Sequence, residues 1–525
     1  MSEFETYFDV AKAQKNVFGA LLEARKKSGG KTIALEDADG RKLSYDDLVR
    51  ASFALGSALT KNTDTEEAIG VMLPTSAGAL ISFFAVNAFG RVPAMLNFTA
   101  GLSNIQSACK AAGIKKIVTA TQFIEKANLG DLRDSLNKDV EFLYLEDVRE
   151  NLSLTDKIYG GAGPILPSLF RFKAHWDSTA VILFTSGTEG APKGVALSHL
   201  NLVSNVQQIL QHVSGMLTKN DVIYNPLPTF HCFGLTAGAL IGLLSGIKVV
   251  LHPSPLQIKE IPKRISETNA TILFATDTFL SQYARASHND ELSKLRYVVC
   301  GAESVKDETR QLVKKKFNIE ILEGYGATEA APVLAVNQPN LNRSGTVGRP
   351  LPGVKLHFEE VEGISGAGRM KASGPNVMKG YIFVDDPKVI QPVEDMWHDT
   401  GDVVSQDEDG SLTIRGRLKR FAKIGGEMVS LAVVENCAKS IWPDFEHAAA
   451  VLPDDRKGEQ IILLTTTPQA ERMDMLHWLQ NHGVSELSMP RKLYYVEEIP
   501  LLGSGKMDIG KVQAIAEQKV SEKEN

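Results

Sequence analysis

A glycine-rich stretch in the first half of the chain is the strongest candidate for chemistry. Residues 183–198 read LFTSGTEGAPKGVALS and combine three glycines with four hydroxyl side chains and Lys193. Glycine lets backbone N–H groups approach phosphate oxygens closely, and hydroxyls and a lysine add further donors. The apolar run 180–184 predicts a buried strand before the loop, and residues 200–210 predict a helix after it. This strand–loop–helix order favours a site for nucleotide phosphates.

The stretch is not a Walker A loop, because no Gly-Lys-Ser/Thr triplet follows a leading glycine at the required distance. Taken alone, it could also be a plain glycine-rich turn. Four later motifs argue against that alternative, because they follow in order along the rest of the chain. They are YGATEAAP at 325–332, HDTGDVV at 398–404, GRLKRFAKIGGEMVS at 416–430 and GSGKMD at 503–508.

Together the five segments resemble the adenylate-forming superfamily, which includes acyl-CoA and acyl-acyl-carrier-protein (ACP) synthetases, luciferases and peptide-synthetase adenylation domains. The resemblance implies an enzyme that uses ATP and Mg²⁺ to activate a carboxylic acid as an acyl adenylate. That reaction must bring a carboxylate to the α-phosphate, neutralise the departing pyrophosphate and exclude water. The resemblance also implies a large N-terminal domain and a small mobile lid that turns between two half-reactions.

The resemblance assigns nucleotide-binding residues one by one. Glu329 takes the magnesium-binding position, Thr328 contacts the α-phosphate and Tyr325 stacks on adenine. Asp402 suits the two ribose hydroxyls, since one carboxylate can accept both hydrogen bonds, and Arg417 assists it. The nucleotide-binding set, with the adenine-pocket stretch 301–303, is Thr185, Ser186, Gly187, Thr188, Glu189, Gly190, Lys193, Gly301, Ala302, Glu303, Tyr325, Gly326, Ala327, Thr328, Asp402 and Arg417.

Four further residues take catalytic or hinge positions by the same resemblance. Lys506 lies in the Gly/Ser loop LLGSGKMD and is expected to catalyse adenylation. Lys423 is expected on the lid face toward the thiol acceptor, and Lys419 at the hinge. His231, in PTFHCFG, matches a gate over the acyl tunnel. A solvated lysine and a packed core histidine are the alternative interpretations of Lys506 and His231.

Composition restricts the functional classes. The chain has 525 residues, 43% of them hydrophobic and 23% charged, which is ordinary for a soluble protein of two or more domains. A net charge of −6 gives no support for nucleic-acid binding. The four cysteines lack CxxC spacing, which favours reduced thiols in a cytoplasmic protein and suggests no metal site. The opening MSEFETYFDV lacks the apolar segment of a signal peptide.

Two long uncharged runs, 68–90 and 222–247, require a choice between a membrane span and a buried βαβ unit. In the second run, glycines recur at 234, 238, 242 and 246. This spacing suits a transmembrane packing face or a soluble helix that lies close on a sheet. We favour the second interpretation, because both runs end in strand-like segments. A peripheral position at the inner face of the membrane stays open.

Strand and helix patterns alternate from about residue 31 to residue 345, which predicts an α/β fold with largely parallel sheets. Short strands rich in glycine and proline follow over 345–415 and predict a small β-rich subdomain. Together with the family resemblance, these patterns imply an architecture of two α/β sheets, the β-rich subdomain and an α+β lid. The expected boundaries are 1–415 for the adenylation domain, 416–420 for the hinge and 421–525 for the lid.

The lid sequence bears on the thiol acceptor. CoA ligases of the family usually carry Pro-x-Glu-Ile/Leu-Glu after the hinge, whereas this chain has Leu431 and Val433 in place of the proline and the first glutamate. RFAKIGGEMVSL, GYGATEAAPV and PLLGSGKMD resemble the acyl-ACP synthetase half of the bifunctional 2-acylglycerophosphoethanolamine acyltransferase/acyl-ACP synthetase. This favours a ligase that joins a fatty acid to holo-ACP. The acyltransferase motif His-x4-Asp does not occur, so a separate lysophospholipid acyltransferase is an expected partner.

A cluster of cations near the hinge could dock an acidic carrier protein. Its members are Arg415, Arg417, Lys419, Arg420 and Lys423. Equally, these cations could serve ATP, the hinge and solvent. The rival functions are a medium- or long-chain fatty acyl-CoA ligase and a non-catalytic homologue that binds acyl chains or nucleotide. The presence of the phosphate loop, Glu329 and Lys506 argues against the non-catalytic homologue.

Overall fold

Alternating strands and helices occupy most of the chain. A computed structural model describes residues 6–185, 192–288, 290–424, 427–454, 458–482, 484–501 and 507–524. The strands, in chain order, are β1 (Ile33–Glu36), β2 (Lys42–Ser44), β3 (Ala68–Val71), β4 (Val92–Met95), β5 (Lys116–Thr119), β6 (Glu141–Tyr144), β7 (Thr179–Thr185), β8 (Lys193–Ser198), β9 (Val222–Asn225), β10 (Lys248–Leu251), β11 (Ile272–Ala275), β12 (Tyr297–Cys300), β13 (Ile321–Gly326), β14 (Val333–Val336), β15 (Arg349–Pro350), β16 (Lys355–Glu360), β17 (Gly368–Ser373), β18 (Gly380–Phe383), β19 (Asp386–Pro392), β20 (His398–Gln406), β21 (Leu412–Arg417), β22 (Phe421–Ile424), β23 (Glu427–Ser430), β24 (His447–Asp454), β25 (Gly458–Thr465) and β26 (Lys492–Tyr495).

The helices follow the same chain order. They are α1 (Val17–Ser28), α2 (Tyr45–Leu59), α3 (Ala77–Ala88), α4 (Leu102–Ala112), α5 (Thr121–Lys126), α6 (Gly130–Leu136), α7 (Leu145–Glu150), α8 (Leu154–Ala162), α9 (Pro167–Phe170), α10 (His199–His212), α11 (Ile241–Ser245), α12 (Glu260–Thr268), α13 (Asp277–Ala286), α14 (Asp307–Phe317), α15 (Leu431–Ile441), α16 (Arg472–Asn481) and α17 (Ile509–Glu524). A π-helical segment, Phe233–Leu240, precedes α11 directly. Short 3-10 turns span Val10–Ala13, Thr328–Ala330, Pro339–Leu341, Glu394–Met396, Leu418–Arg420 and Glu486–Ser488.

Two large sheets, both mainly parallel, carry the first part of the chain. The nine-stranded sheet has the order β15-β14-β13-β12-β11-β9-β10-β1-β2, and the strands from β13 to β1 run parallel. The eight-stranded sheet has the order β19-β18-β8-β7-β4-β3-β5-β6, and the strands from β7 to β6 run parallel. One apolar core joins side chains of both sheets to those of α1, α2 and α3, including Phe18, Tyr45, Phe53 and Phe83. The predicted α/β class with two sheets is confirmed.

The predicted β-rich subdomain is present, but it does not keep all of segment 345–415. Strands β16, β17, β20 and β21 form a four-stranded antiparallel sheet. Strand β18 instead pairs with β8 at the edge of the eight-stranded sheet, and β19 pairs with β18. A run of short strands in the sequence does not reveal their partners, because pairing depends on contacts between distant segments.

The C-terminal residues build a separate sheet with its own core. Its order is β23-β22-β25-β24, with β26 parallel to β25. Val434, Leu463 and Met475 are buried within its apolar core. Strand β21 of the four-stranded sheet ends at Arg417, and strand β22 of the C-terminal sheet begins at Phe421. The hinge at 416–420 remains a prediction, since a change of sheet does not measure movement.

The candidate phosphate loop lies in a hairpin, not between a strand and a helix. Strand β7 ends at Thr185 and β8 begins at Lys193, and these two residues are antiparallel partners. Helix α10 begins only after β8, where the Ser198 side chain accepts a hydrogen bond from the Asn201 N–H. The predicted strand–loop–helix unit was therefore wrong. The residues between Lys193 and Ser198 are buried on both faces of the sheet, and a short apolar run of this kind looks the same at the start of a buried helix.

The glycine-spaced run packs as a helix against the nine-stranded sheet. A Cβ at Gly238 would lie 2.3 Å from Asn225 Oδ1 of β9, and a Cβ at Gly234 would lie 2.2 Å from the Pro228 carbonyl oxygen. Only glycine permits this approach, which confirms the preference for a buried helix. Among the described residues, no helix has both the length and the apolar character needed to cross a membrane.

We expect Gly242→Ala in α11 to lower the free energy of unfolding by about 1–3 kcal/mol, because the packed helix must shift. A Cβ there would lie 2.4 Å from Val249 Cγ2 and 2.9 Å from the Ile247 carbonyl oxygen. The matched control is Gly161→Ala in α8, where a Cβ would meet nothing within 4 Å. Alanine there should raise stability by about 0.5–1 kcal/mol. Urea unfolding measures both variants, and equal stabilities would contradict the close packing.

The first residue of α10 makes folding sensitive to acid. His199 is buried, and its Nδ1 accepts a hydrogen bond of 3.2 Å from the Val17 N–H. Burial, assisted by the positive charge of Lys379, lowers the pKa of His199 from 6.5 to about 3. Below pH 6.5 the unfolded chain therefore binds a proton that the folded chain does not. This histidine reduces stability progressively as the pH falls from 6.5 toward 3.

His199→Asn should remove this acid sensitivity while placing an oxygen acceptor near the position of Nδ1. As the pH falls from 6 to 4, wild type should lose stability relative to the variant by about 1.4 kcal/mol per pH unit, which corresponds to one proton. Urea unfolding across this range, with both proteins in the same buffers, measures the difference. A difference that stays constant with pH would show that His199 does not titrate as described.

Candidate active site

One cavity of about 2830 Å³ brings most of the predicted site residues together. It lies where β7, β12 and β13 end, and β20 and β21 border it. The carboxyl ends of parallel strands are a usual place for a ligand crevice. The predicted residues that line the cavity are Thr185, Lys193, His231, Gly301, Ala302, Glu303, Tyr325, Gly326, Ala327, Thr328, Glu329, Asp402 and Arg417.

Six predicted residues lie outside the described part of the chain, namely Ser186, Gly187, Thr188, Glu189, Gly190 and Lys506. The residues that flank them are described. Thr185, Pro192 and Lys193 line the cavity beside the phosphate loop. Leu501 and Met507 also line it, and they pair as an antiparallel bridge. Both ends of the segment that carries Lys506 therefore lie at the cavity.

Glu329 accepts a hydrogen bond from a tyrosine in β18 of the eight-stranded sheet. The Tyr381 hydroxyl donates a hydrogen bond of 2.8 Å to Glu329 Oε1. Burial and the Glu329 carboxylate raise the pKa of Tyr381, so the hydroxyl keeps its proton. Lys193 Nζ lies 5.3 Å from the centre of the Tyr381 ring, within the range of a cation–π contact. Tyr381 therefore contacts both the Glu329 carboxylate and the Lys193 ammonium group.

Asp402 is held in the same manner from the other side of the cavity. The Tyr325 hydroxyl donates a hydrogen bond of 2.5 Å to Asp402 Oδ2, and Arg417 Nε lies 3.2 Å from Asp402 Oδ1. Burial raises the pKa of Asp402, while Arg417 and Tyr325 act in the opposite direction. The structure thus brings together three residues that the motifs placed far apart in sequence. This geometry fixes the Tyr325 ring beside the position expected for ribose.

The stretch after β12 combines a strained backbone with a fixed carboxylate. Ala302 has a φ of +68°, in a region that residues other than glycine rarely adopt, which costs about 1–3 kcal/mol. Glu303 Oε2 accepts hydrogen bonds of 3.1 Å from the Thr278 N–H and 2.9 Å from its hydroxyl. The Glu303 side chain therefore ties the loop to the start of α13. Glu303 thus has a structural role in this loop, and its position along an adenine pocket remains a prediction.

An apolar chamber extends the cavity beyond His231. It lies between α10, the π-helical segment and the nine-stranded sheet, and its walls include Ile209, Val213, Ala237, Ile241, Phe274 and Val299. The His231 ring packs 4.7 Å from the Phe230 ring, and both side chains line the cavity. His231 is therefore packed against Phe230 and also lines the cavity, and its role as a gate remains a prediction.

The basic cluster near the hinge is largely used within the protein. Arg415 Nε donates 3.0 Å to Ser405 Oγ, and Arg417 pairs with Asp402. The Arg420 side chain is only 15% exposed and forms an ion pair of 2.5 Å with Glu435. These contacts correct the expectation that Arg420 is available to an acidic partner, because its charge is neutralised beneath the surface.

Lys423 lies outside the cavity lining. Its Nζ is 2.9 Å from Glu362 Oε2, in the turn after β16, and its backbone N–H donates to Glu459 Oε2. In this arrangement the side chain bridges the lid and the four-stranded sheet. The expected contact of Lys423 with a thiol acceptor, and the hinge role of Lys419, remain predictions.

Three cavity residues were not identified from the sequence. Tyr381 has no motif around it, and only the pairing of β18 with β8 brings it to Glu329. His398 and Thr400 lie in the HDTGDVV motif and could have been singled out with Asp402. Burial lowers the pKa of His398, although Glu329, Asp399 and Asp402 act against this shift. The Thr400 hydroxyl donates 2.7 Å to the Met370 carbonyl oxygen.

The described residues contain no group of three or more His, Cys, Asp or Glu side chains that could hold a metal ion. A divalent cation at Glu329 must therefore complete its shell with other oxygens. Mg²⁺ does so readily, because it keeps several waters and commonly binds one or two carboxylates together with substrate phosphates. The four cysteines are buried and free, in agreement with the predicted reduced thiols.

The chain is similar in sequence to known proteins over most of its length. The family model described as "AMP-binding enzyme" matches residues 22–382. A mitochondrial medium-chain acyl-CoA ligase of Mus musculus is 28% identical over 86% of this chain and 79% of its own length. A probable 4-coumarate–CoA ligase of Dictyostelium discoideum is 30% identical over 73% of this chain and 71% of its own length.

The fold is similar to that of o-succinylbenzoate–coenzyme A synthetase from Bacillus subtilis, solved in complex with ATP and a magnesium ion. The TM-score is 0.79 at 20% identity, over 94% of this chain and 98% of the other. The architecture is thus that of the adenylate-forming enzymes, with a large N-terminal α/β domain and a smaller C-terminal domain. The chain belongs to the AMP-binding enzyme family, whose members are ligases that form acyl adenylates and thioesters.

Proposed function

We propose that this protein is an ATP- and Mg²⁺-dependent ligase that joins an apolar carboxylic acid to coenzyme A. The observation that carries the proposal is the continuity of one cavity. Its lining includes Lys193, Glu329 and Asp402 as well as the side chains of the apolar chamber. A carboxylate at the boundary of these two regions can meet a nucleotide phosphate while its apolar body is buried away from water.

In the first half-reaction, a carboxylate oxygen attacks the α-phosphorus of ATP and the bond to pyrophosphate breaks. Lys193 and Lys506 would offset the negative charge that develops on the phosphates. Glu329, oriented by Tyr381, would hold Mg²⁺, which supplies charge neutralisation at the phosphates. Asp402 would accept hydrogen bonds from ribose hydroxyls, since Tyr325 and Arg417 fix its position. The remaining phosphate donors would come from the loop 185–190.

In the second half-reaction, the thiolate of the acceptor attacks the acyl carbon, and AMP leaves with its phosphate oxygen. Coenzyme A is a better candidate for this acceptor than holo-ACP. Arg420 is largely buried in an ion pair with Glu435, and the exposed Arg417 pairs with Asp402 at the cavity, so neither charge is left uncompensated for an acidic carrier. Leu431, which replaces the proline of CoA ligases, is a buried residue of the lid core. Packing in the C-terminal core is therefore one reason for a leucine at position 431.

The chamber favours an aliphatic or aromatic acid without charges on its body. Burial of each methylene contributes about 0.8 kcal/mol, so a longer chain gains affinity until the chamber is filled. The related ligases act on medium-chain acyl groups or 4-coumarate, according to their names. A medium- or long-chain fatty acid suits this chamber because none of the wall residues named above is charged.

A parallel assay tests acceptor and acid together. Purified protein is given ATP, Mg²⁺ and a panel of fatty acids from hexanoate to stearate, with 4-coumarate included, and either CoA or holo-ACP. We expect thioester formation with CoA at a kcat/KM at least roughly tenfold above that with holo-ACP. A higher kcat/KM with holo-ACP than with CoA would contradict the proposed acceptor. If no acid supports exchange of pyrophosphate into ATP, the protein is a non-catalytic homologue.

Lys506→Ala tests whether the reaction proceeds through two separate half-reactions. It should abolish formation of the adenylate and retain thioester formation from supplied acyl-AMP. The matched variant is Lys511→Ala, which removes a lysine that follows Lys506 closely in sequence and lines the cavity. If Lys511→Ala loses adenylation as completely as Lys506→Ala, the catalytic assignment within this segment is wrong.

Tyr381→Phe should raise the Mg²⁺ concentration needed for half-maximal activity. It removes the hydrogen bond to Glu329 Oε1, and loss of such a supporting contact typically weakens metal binding by roughly 10–100-fold. Rates measured over a Mg²⁺ titration, at saturating ATP, report the change. Tyr495→Phe on the exposed face of the lid is the control and should match wild type. An unchanged Mg²⁺ titration in Tyr381→Phe would remove the proposed role of the Glu329–Tyr381 contact.

A further inference from the structure

Large apolar side chains are exposed together on α8, α9 and the adjoining loops. We call this set the α8–α9 surface, and it consists of Leu154, Ile158, Ile165, Leu166, Leu169 and Phe172. Leu154 and Ile165 are each 76% exposed, and Leu169 is 75% exposed. Six of the 17 large apolar side chains exposed in the described part of the chain fall in this one segment. A concentration of this kind marks an interaction site more often than chance exposure does.

The orientation of α8 is fixed, so these side chains are not exposed by local disorder. Asp156 is fully buried beneath the helix, where it forms an ion pair of 2.6 Å with Lys61 and accepts from the Ser57 hydroxyl. A Cβ on Gly160 would lie 3.0 Å from Ala54 Cβ of α2. The face of α8 that carries Asp156 and Gly160 is thus packed on α2. Leu154 and Ile158 point the opposite way, to the outside.

A basic groove of about 820 Å³ adjoins the exposed apolar residues. Its walls include Lys15, Arg25, Lys26, Arg171 and Lys173, whereas Glu23 is the one carboxylate in its described lining. Ile165 of the α8–α9 surface lines the same groove, so apolar and basic groups meet there. The positive groove stands out because the whole chain has a net charge of −6.

Two of these cations are already neutralised, Lys26 and Lys173 are exposed, and Arg171 is half-buried. Lys15 pairs with Glu23 at 2.8 Å, and Arg25 pairs with Asp46 at 2.6 Å. Arg171 Nη1 lies 3.4 Å from Asn16 Oδ1, which carries no charge. Within the described residues, no carboxylate forms an ion pair with Lys26, Arg171 or Lys173. The groove therefore presents uncompensated positive charge beside apolar side chains.

We infer that the α8–α9 surface and its groove dock on the surface of an anionic phospholipid bilayer. The apolar side chains would enter the boundary between headgroups and acyl chains, and Lys26, Arg171 and Lys173 would contact the phosphates. Apolar burial and attraction to anionic lipids are the two contributions that bind proteins to a membrane surface. A second copy of the chain is a poorer fit, because a two-fold contact through this surface would bring the basic grooves together. The inference does not depend on the identity of the acid or the acceptor.

Vesicle sedimentation tests the inference directly. The full-length protein is mixed with vesicles of phosphatidylcholine and phosphatidylglycerol, or with vesicles of phosphatidylcholine alone. We expect binding to the anionic vesicles that weakens as ionic strength rises. Ile165→Ser/Leu169→Ser and Lys26→Glu/Lys173→Glu should each reduce the partition coefficient at least roughly tenfold, because both contributions are needed. Thioester formation from acid presented in detergent-free solution should remain at the wild-type level in both variants.

Matched controls distinguish binding through the α8–α9 surface from nonspecific binding to vesicles. Val389→Ser/Met396→Ser removes two other exposed apolar side chains, and Lys138→Glu/Lys315→Glu reverses two exposed lysines elsewhere. Both controls should bind vesicles as wild type does. Equal losses in controls and test variants, or no binding by wild type, would overturn the inference. So would a wild-type dimer in sedimentation velocity that Ile165→Ser/Leu169→Ser converts to a monomer, because that result assigns the surface to a second copy.

Discussion

The pairing of β18 with β8 is the constraint on which the candidate site depends. Tyr381 lies opposite Val195 in this register, which places its ring beside Lys193 and its hydroxyl on Glu329. A shift of one residue would turn Tyr381 to the other face of the sheet and leave Glu329 without its donor. Because β18 comes from the segment that also builds the four-stranded sheet, this one ladder fixes how two parts of the N-terminal domain meet at the cavity.

Two protonated tyrosine hydroxyls donate hydrogen bonds to the carboxylates at the cavity. Tyr325 and Tyr381 each donate to one carboxylate, and burial with the adjacent charge keeps both hydroxyls protonated. Burial also lowers the pKa of His398. These two hydroxyls orient Asp402 and Glu329 without adding a charge, whereas Arg417 adds a positive charge beside Asp402 alone. Carboxylates oriented in this way can bind hydroxyls or a hard cation.

Motif order predicted the fold and much of the site because each motif is local in sequence. Glu329, Asp402 and Arg417 could be placed by this means, and the structure brings them to one cavity. The hairpin at Thr185–Lys193 and the role of Tyr381 could not, since both depend on which strands pair across a long interval. The preference for ACP rested in part on a similar local pattern. A run of cations in the sequence does not show that Arg420 is buried against Glu435.

The contact between Lys423 and Glu362 has a consequence for the rate of turnover. Both side chains are largely in solvent, where water and salt ions replace an ion pair at little cost. If the C-terminal domain turns between the two half-reactions, Lys423 must leave Glu362 before it can face a thiol. An ion pair this weak can favour one orientation of the C-terminal domain without preventing its movement. Breaking this ion pair would therefore add little to the free-energy barrier for such a turn.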